Sequence, residues 1–318
     1  MEASLIIVNY NTQEHLEKCL TSILYFTKKI DFEIIVIDNN SPEREIENFP
    51  RLFPRARFYF RDVNDGFGSG CNYGASKAKG NYLVFVNPDI VFDSDCLSKM
   101  FEYMESNLDA GAVSPVLKDF AGKLTYIYNQ FPNIFWEFHE ATGKGNQKKM
   151  DDNLKVFYDQ KKYGVNIEVD WVTGACIMIK SELFRKLKGY DENYFLYYED
   201  TDLQYRIRQL GFKIFCLSDK EVKHFINSSI KSSEGENIYY FNINRSKLIY
   251  MYKHFGFSKR NAVRIMHILG IGLRTVTLPF RRKFKENRGQ KFLQYKRSLK
   301  LYFYTYNEIV RSSYLRVK

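Results

Sequence analysis

Short unbroken apolar runs alternate with amphipathic stretches over the first 120 residues. Residues 5–8 (Leu-Ile-Ile-Val) and 32–37 read as strands buried on both faces, since neither shows a helical period. Between them Leu16, Cys19, Leu20, Ile23 and Leu24 fall at helical spacing over residues 15–26, completing a βαβ unit. Residues 57–60 predict a third strand, which leads into a glycine-rich stretch at 64–70 and a helix from Tyr73 to Lys79. A strand over 82–86 ends at Asn87-Pro88-Asp89, and a helix over 96–107 with a strand over 112–116 continues the alternation. Strands alternating with helices predict an α/β fold, a mainly parallel sheet flanked by helices.

The pattern then lapses. Residues 126–166 carry no clear period and include the polar run 144–152, which reads as an insertion or lid. Strand-like sequence returns over 169–179, followed by helices over 181–187 and 203–210 and a last strand over 213–217. Just before the second of these helices, Glu199, Asp200 and Asp202 crowd into four positions beside Phe195, Tyr197 and Tyr198.

In open α/β sheets ligands collect at the carboxyl ends of the strands. Asn9-Tyr10-Asn11, Asp38-Asn39-Asn40, the 64–70 stretch and Asn87-Pro88-Asp89 all fall at such ends, and together predict one binding rim. An acidic group there can hold a metal on a diphosphate. A carboxylate crowded by aromatics and other acids acquires the raised pKa that suits a general base. These features point to sugar transfer from a nucleotide-activated donor.

Composition narrows the picture. Five scattered cysteines, odd in number and without a CxxC pair, exclude a disulfide scaffold or zinc site and suit a cytoplasmic protein. The opening apolar run is too short for a signal peptide, and the apolar part of residues 255–280 reads as too short and interrupted to span a bilayer. Residues 258–318 hold 16 Lys and Arg against 2 Asp and Glu, so the remainder, with 32 against 35, is slightly acidic. The whole positive excess is a property of the tail.

The order of motifs resembles the family-2 inverting glycosyltransferases of the GT-A fold, and within them the bacterial rhamnosyltransferase-like branch. The matching residues are Ile7-Val8-Asn9-Tyr10-Asn11, Val36-Ile37-Asp38-Asn39-Asn40-Ser41, the stretch Asn64-Asp65-Gly66-Phe67-Gly68-Ser69-Gly70-Cys71-Asn72, and Asn87-Pro88-Asp89. Trp171-Val172-Thr173-Gly174-Ala175, Tyr197-Tyr198-Glu199-Asp200-Thr201-Asp202-Leu203 and His224 complete the set. The resemblance covers roughly residues 4 to 250 and implies a catalytic domain over 1–255.

It also implies roles. Asn9, Tyr10, Asn11, Asp38 and Asn39 line the nucleoside pocket, with Asp38 accepting from the base. Asn64, Gly66, Phe67, Gly68, Asn72 and Asn87 belong to the nucleotide-sugar site, the glycines bringing backbone N–H groups near the donor. Asp89, with His224, holds a divalent cation (Mg or Mn), although Asn87 stands where the family motif begins with Asp. Asp200 is the expected base, with Glu199 its rival or orienting partner. Asp202 reads as a helix cap, and Trp171, Thr173 and Gly174 form the acceptor side. The implied donor is dTDP-rhamnose, with a UDP-sugar (galactose, glucose or galactofuranose) the alternative. The implied acceptor is a cell-surface polysaccharide or lipid-linked oligosaccharide. A protein that binds sugar nucleotides without turnover is the non-enzymatic alternative.

In the basic extension, residues 256–318, Phe292, Tyr295, Leu299, Tyr302, Phe303 and Tyr306 recur at helical spacing among Lys and Arg. A basic amphipathic helical extension predicts peripheral contact with an anionic membrane, the inner face of a bacterial cell membrane for this class. Packing on the catalytic domain or on a second copy is the alternative, and nucleic acid is excluded for want of a recognisable binding module.

Overall fold

The computed structural model describes residues 1–42, 45–125, 130–142, 165–225, 233–280, 285 and 287–312. Most of the expected insertion, residues 126–129 and 143–164, lies outside the described residues, as does most of the basic run 281–285. The described residues form two compact units: 1–131, 165–195 and 199–225 in the first, and 132–142, 196–198 and 233–312 in the second.

The first unit is built on a nine-stranded sheet. Strands β1 (Ala3–Asn9), β2 (Phe32–Asp38), β3 (Ala56–Phe60) and β4 (Tyr82–Val86) pair in parallel in the order β3-β2-β1-β4. Every residue of β1 and β4 is buried, which is why these segments read as continuous apolar runs. The β1–β2 register sets Asn9 beside Asp38, so the two polar residues that end these strands meet at one rim.

Beyond β4 the sheet becomes mixed. Its order continues through β8 (Cys176–Lys180), β6 (Ala110–Lys118), β9 (Lys213–His224) and β5 (Ile90–Val91), with β7 (Ile167–Val169) also pairing β9. β8 runs antiparallel to both β4 and β6, and β9 continues past the expected end at residue 217 to His224 by slipping register opposite Pro115 and Val116. The helices of this unit are α1 (Gln13–Phe26), α2 (Phe49–Leu52), α3 (Phe67–Lys77), α4 (Cys96–Ser106), α6 (Ser181–Lys186) and α7 (Glu199–Gln209).

Helix α3 starts six residues before the expected Tyr73, so Gly68 and Gly70 lie inside it with Gly74 rather than in a free loop. The reason is packing on the sheet. A Cβ at Gly70 would stand 2.8 Å from Val8 Cγ1, and one at Gly74 2.5 Å from Ile6 Cγ2. The five cysteines are unpaired and buried, and burial raises the thiol pKa of each.

The second unit is helical: α5 (Ile134–Thr142), α8 (Ser233–His254), α9 (Phe257–Thr277), α10 (Arg288–Leu301) and α11 (Tyr306–Arg311). Arg245 on α8 donates to the carbonyls of Ile309, Val310 and Ser312, satisfying the carboxyl end of α11. Inside the unit, Lys247 pairs with Glu137 and Glu140, and His267 Nε2 lies 2.8 Å from Glu137 Oε2.

The tail corrects two expectations. Helix α10 ends at Leu301, and Thr305 and Glu308 form a capping box that starts α11, so the apolar stripe through Tyr306 is not one helix face. Tyr302 is buried inside the unit while Phe292 and Phe303 are exposed. Residues 257–280, read as too interrupted to cross a bilayer, form one helical segment long and apolar enough to do so by length and composition.

Candidate active site

The β1 and β2 ends form a polar knot. Asn9 Nδ2 donates to Asp38 Oδ2 at 2.8 Å, the Ser41 hydroxyl donates to the same oxygen at 2.7 Å, and Ser41 N–H donates to Asp38 Oδ1 at 2.8 Å. Asn9 and Asp38 are buried, whereas Tyr10 and Asn11 are exposed at the rim. Asn11 and Asn40 both take left-handed backbone, which Asn tolerates better than most residues, and so turn the chain away immediately after each strand. Asp38, Asn40, Ser41, Phe60 and Arg61 line an open cavity of about 450 Å³, in the range of small-molecule sites.

Arg61 has no counterpart among the sequence expectations. Its guanidinium donates to Asn39 Oδ1 at 2.7 Å and reaches Ser69 Oγ and Asp65 Oδ2 at 3.2 Å. The signal available was its place one residue past the end of β3. Asn39 in turn donates to Asn64 Oδ1 and to the Gly66 carbonyl.

Gly66 has φ +102°, and a Cβ there would stand 2.2 Å from the Phe195 carbonyl oxygen, which accepts from Phe67 N–H. The amide of Asn72 is spent on the loop before α7: it accepts from Tyr190 N–H and donates to the Tyr190 carbonyl and to Glu192. Gly68 packs against Tyr190 and Glu199.

At the end of β4, Asn87 N–H donates to the Ala175 carbonyl at 2.8 Å. The two-residue β5–β9 pairing sets His224 opposite Ile90 and brings its Nε2 to 3.3 Å from Asp89 Oδ1. Asn87 Oδ1 and Asp89 Oδ1 are buried oxygens without a hydrogen-bond donor. The orphaned Asp89 Oδ1 beside an imidazole nitrogen suits a hard divalent cation that takes its other ligands from phosphate and water. Among the described residues no cluster of three or more metal-ligating side chains occurs, so a cation here would depend on the bound donor.

Helix α7 begins at Glu199, four residues earlier than expected, which puts Glu199 and Asp200 in its first turn. Asp202 is therefore inside the helix instead of capping it. Fully buried, it pairs with Arg206 Nε at 2.7 Å, while Arg206 also donates to the Leu187 and Gly189 carbonyls. Asp200 Oδ2 accepts Gly174 N–H at 2.8 Å, and its Oδ1 accepts Thr201 N–H at 2.7 Å.

Burial raises the Asp200 pKa against these hydrogen bonds, which favour its charge. Glu199 lies well above the ordinary range, because burial and the Asp200 charge both disfavour its ionisation. Glu199 Oε2 has no hydrogen-bond donor. Ionisation is thus disfavoured more strongly at Glu199 than at Asp200, whose hydrogen bonds favour its charge. Immediately before them, Tyr197 and Tyr198 have φ near +67°, a conformation costing about 1–2 kcal/mol per residue.

Gln204, one turn after Asp200, was not anticipated. Buried, it accepts Val172 N–H and donates to the Val172 carbonyl, so it grips the 170–175 loop from α7. Trp171 is held by its indole N–H on the Gln130 carbonyl, and Thr173 is part-buried.

These elements define a GT-A glycosyltransferase. A solved mannosyltransferase from Pyrobaculum calidifontis, in complex with GDP-Man and Mn2+, superposes with a TM-score of 0.57 at 12% identity, covering 94% of this chain and 86% of that one. The model of glycosyl transferase family 2 matches residues 4–188, and the chain belongs to that family. Residues 155–228 also match the family described as the N-terminal domain of galactosyltransferase. Among curated relatives, the N-acetylglucosaminyl-diphospho-decaprenol L-rhamnosyltransferase of Mycobacterium tuberculosis is 22% identical over 69% of this chain and 74% of its own length. Rhamnosyltransferase WbbL of Escherichia coli is 24% identical over 72% of this chain and 85% of its own.

Proposed function

We propose that this glycosyltransferase moves rhamnose from dTDP-rhamnose, with inversion, onto a lipid-linked glycan at the inner face of a bacterial membrane. The observation that carries the chemistry is the loop at residues 173–175. Its Ala175 carbonyl is tied to Asn87 beside Asp89, and its Gly174 N–H to Asp200, so one loop fixes the diphosphate end against the base. The rhamnosyl donor is supported by the two rhamnosyltransferase relatives.

In this reading Asp38, Ser41 and Arg61 receive the nucleoside, and Asn9 orients Asp38. Asp200 takes the proton from the acceptor hydroxyl as its oxygen bonds to the anomeric carbon, and the bond from that carbon to the diphosphate breaks on the opposite face. Asp89 and His224 would hold a divalent cation, which when bound offsets charge on the departing diphosphate. Gly174 N–H keeps Asp200 turned toward the acceptor side, and burial with the Asp200 charge disfavours ionisation of Glu199 beside it.

The galactosyltransferase match over residues 155–228 favours a second reading, a UDP-galactose donor on the same machinery. Calorimetric titration with dTDP-rhamnose and UDP-galactose, each with and without manganese, separates them. Metal-dependent binding of dTDP-rhamnose at least tenfold tighter supports the first, and the reverse order replaces it.

A further inference from the structure

Helix α9 has two opposite faces. Val263, His267 and Ile271 point into the helical unit and are buried. On the other side Ile265, Leu269, Leu273 and Val276, with Phe280 just beyond the helix, are between 58 and 84% exposed. They recur at helical spacing, and every exposed residue from 261 to 280 is apolar. Helix α5 packs directly on α9, with Ala141 against Gly270, and leaves Ile134, Phe135 and Phe138 exposed as well. So many large apolar side chains on one unit exceed the scattered exposure normal for a soluble surface.

We infer that this α9 face, with α5 beside it, is the surface that seats the protein on an anionic bilayer, α9 lying in the interface with its apolar stripe among the acyl chains. The occupant follows from charge. Residues 258–318 carry a net +14, with Lys259, Lys285, Lys296 and Lys300 exposed. A second copy would bring the same positive charge against itself, whereas anionic headgroups neutralise it.

Although α9 is long enough to cross a membrane, its inner face forbids it. His267 meets the buried Glu137, Arg264 donates to the Tyr302 carbonyl, and Arg274 donates to the Glu140 carbonyl. Spanning would strip these groups of their partners and expose them to lipid. A helix polar on one side and apolar on the other lies flat. The inference shares with the proposed function only a membrane-borne acceptor, and it stands whatever sugar is transferred.

The test is co-sedimentation of the full chain with phosphatidylcholine vesicles, with and without 30% phosphatidylglycerol. Wild type should partition at least tenfold more strongly to the anionic vesicles, and Leu269→Glu/Leu273→Glu should reduce that by a further tenfold or more. Both positions are exposed, so an unchanged melting curve and donor titration verify that this variant is folded and that its donor site is intact. Binding that the double variant leaves unaltered overturns the proposal. So does a dimer in vesicle-free solution that the same substitutions dissociate, or a membrane fraction of wild type that resists alkaline carbonate, the mark of a spanning helix.

Discussion

Gly174 N–H and Asp200 Oδ2, 26 residues apart in sequence, are joined by a 2.8 Å hydrogen bond. A Cβ at Gly174 would stand 3.1 Å from Asp200 Cβ, so the loop and the carboxylate are in near-contact along the backbone. The bond holds one carboxylate oxygen in place and leaves proton transfer to a group whose direction is fixed. Asp200→Asn preserves the shape and removes the proposed base. Its kcat should fall by about 10²- to 10⁴-fold with donor affinity within about twofold of wild type. Turnover near the wild-type rate would remove Asp200 from its role.

The Asp200 pKa is raised, so the active, ionised form is lost at a higher pH than for a free aspartate. The acid limb of kcat/KM should therefore lie above pH 3.8, with the rate rising as pH increases through it. The same shift has a stability sign. A carboxyl raised on folding favours the folded state below its unfolded pKa, and that contribution is lost as pH rises through the folded value. Glu199 behaves alike and more strongly. Glu199→Gln mimics its protonated form and should keep kcat within tenfold while leaving the melting temperature at pH 8 unchanged or higher. A loss as deep as that of Asp200→Asn would make Glu199 the base.

Asp89→Ala deletes one of the two side chains proposed to hold a donor-bound cation. Manganese-dependent donor binding should weaken at least tenfold, about 1.4 kcal/mol, while metal-free binding stays unchanged. Isothermal titration with and without manganese reads both, and an unaltered metal requirement would relocate the cation.

Gln204→Leu leaves the buried N–H and C=O of Val172 without partners, a cost of about 1–3 kcal/mol each. Because the freed loop carries Gly174, kcat should drop alongside stability. A urea melt with a kcat measurement checks the pairing, and lost stability at full kcat would confine Gln204 to the fold.

In the helical unit, burial alone would raise the Glu137 carboxyl, but Lys247 and His267 turn it net downward. Burial opposes the Lys247 charge too, yet Glu137 and Glu140 hold its pKa well above normal. Lys247→Met takes from the buried Glu137 its lysine partner and should cost about 3–5 kcal/mol, whereas Glu137→Leu with Lys247→Met should cost less than the single change. Denaturant unfolding of both variants gives the comparison.

The rim was legible where the chain's period was strict. The βαβ run from β1 to β4 shows itself because buried parallel strands are apolar throughout, and the register then carries Asn9 to Asp38 without further information. The start of α7 was not legible, because Glu199 and Asp200 look like loop residues until tertiary contacts draw them into a helix. Arg61 and Gln204 escaped because one long or amide side chain has no local pattern, and its importance lies in partners 22 and 32 residues away. The tail misled for another reason: charged and apolar residues interleave along the α9 sequence, and which side is covered depends on α5 and on Glu137, 130 residues from His267.

The burial of all five thiols has a practical reach of its own. Thiolate is the reactive form, and in the folded chain each sulfur is both shielded and held protonated. The native protein is thus a blank background for maleimide chemistry. A single cysteine placed at position 269 or 292 can carry a fluorophore or spin label without removing any native residue's sulfur, and any labelling of the unsubstituted chain reports its unfolding.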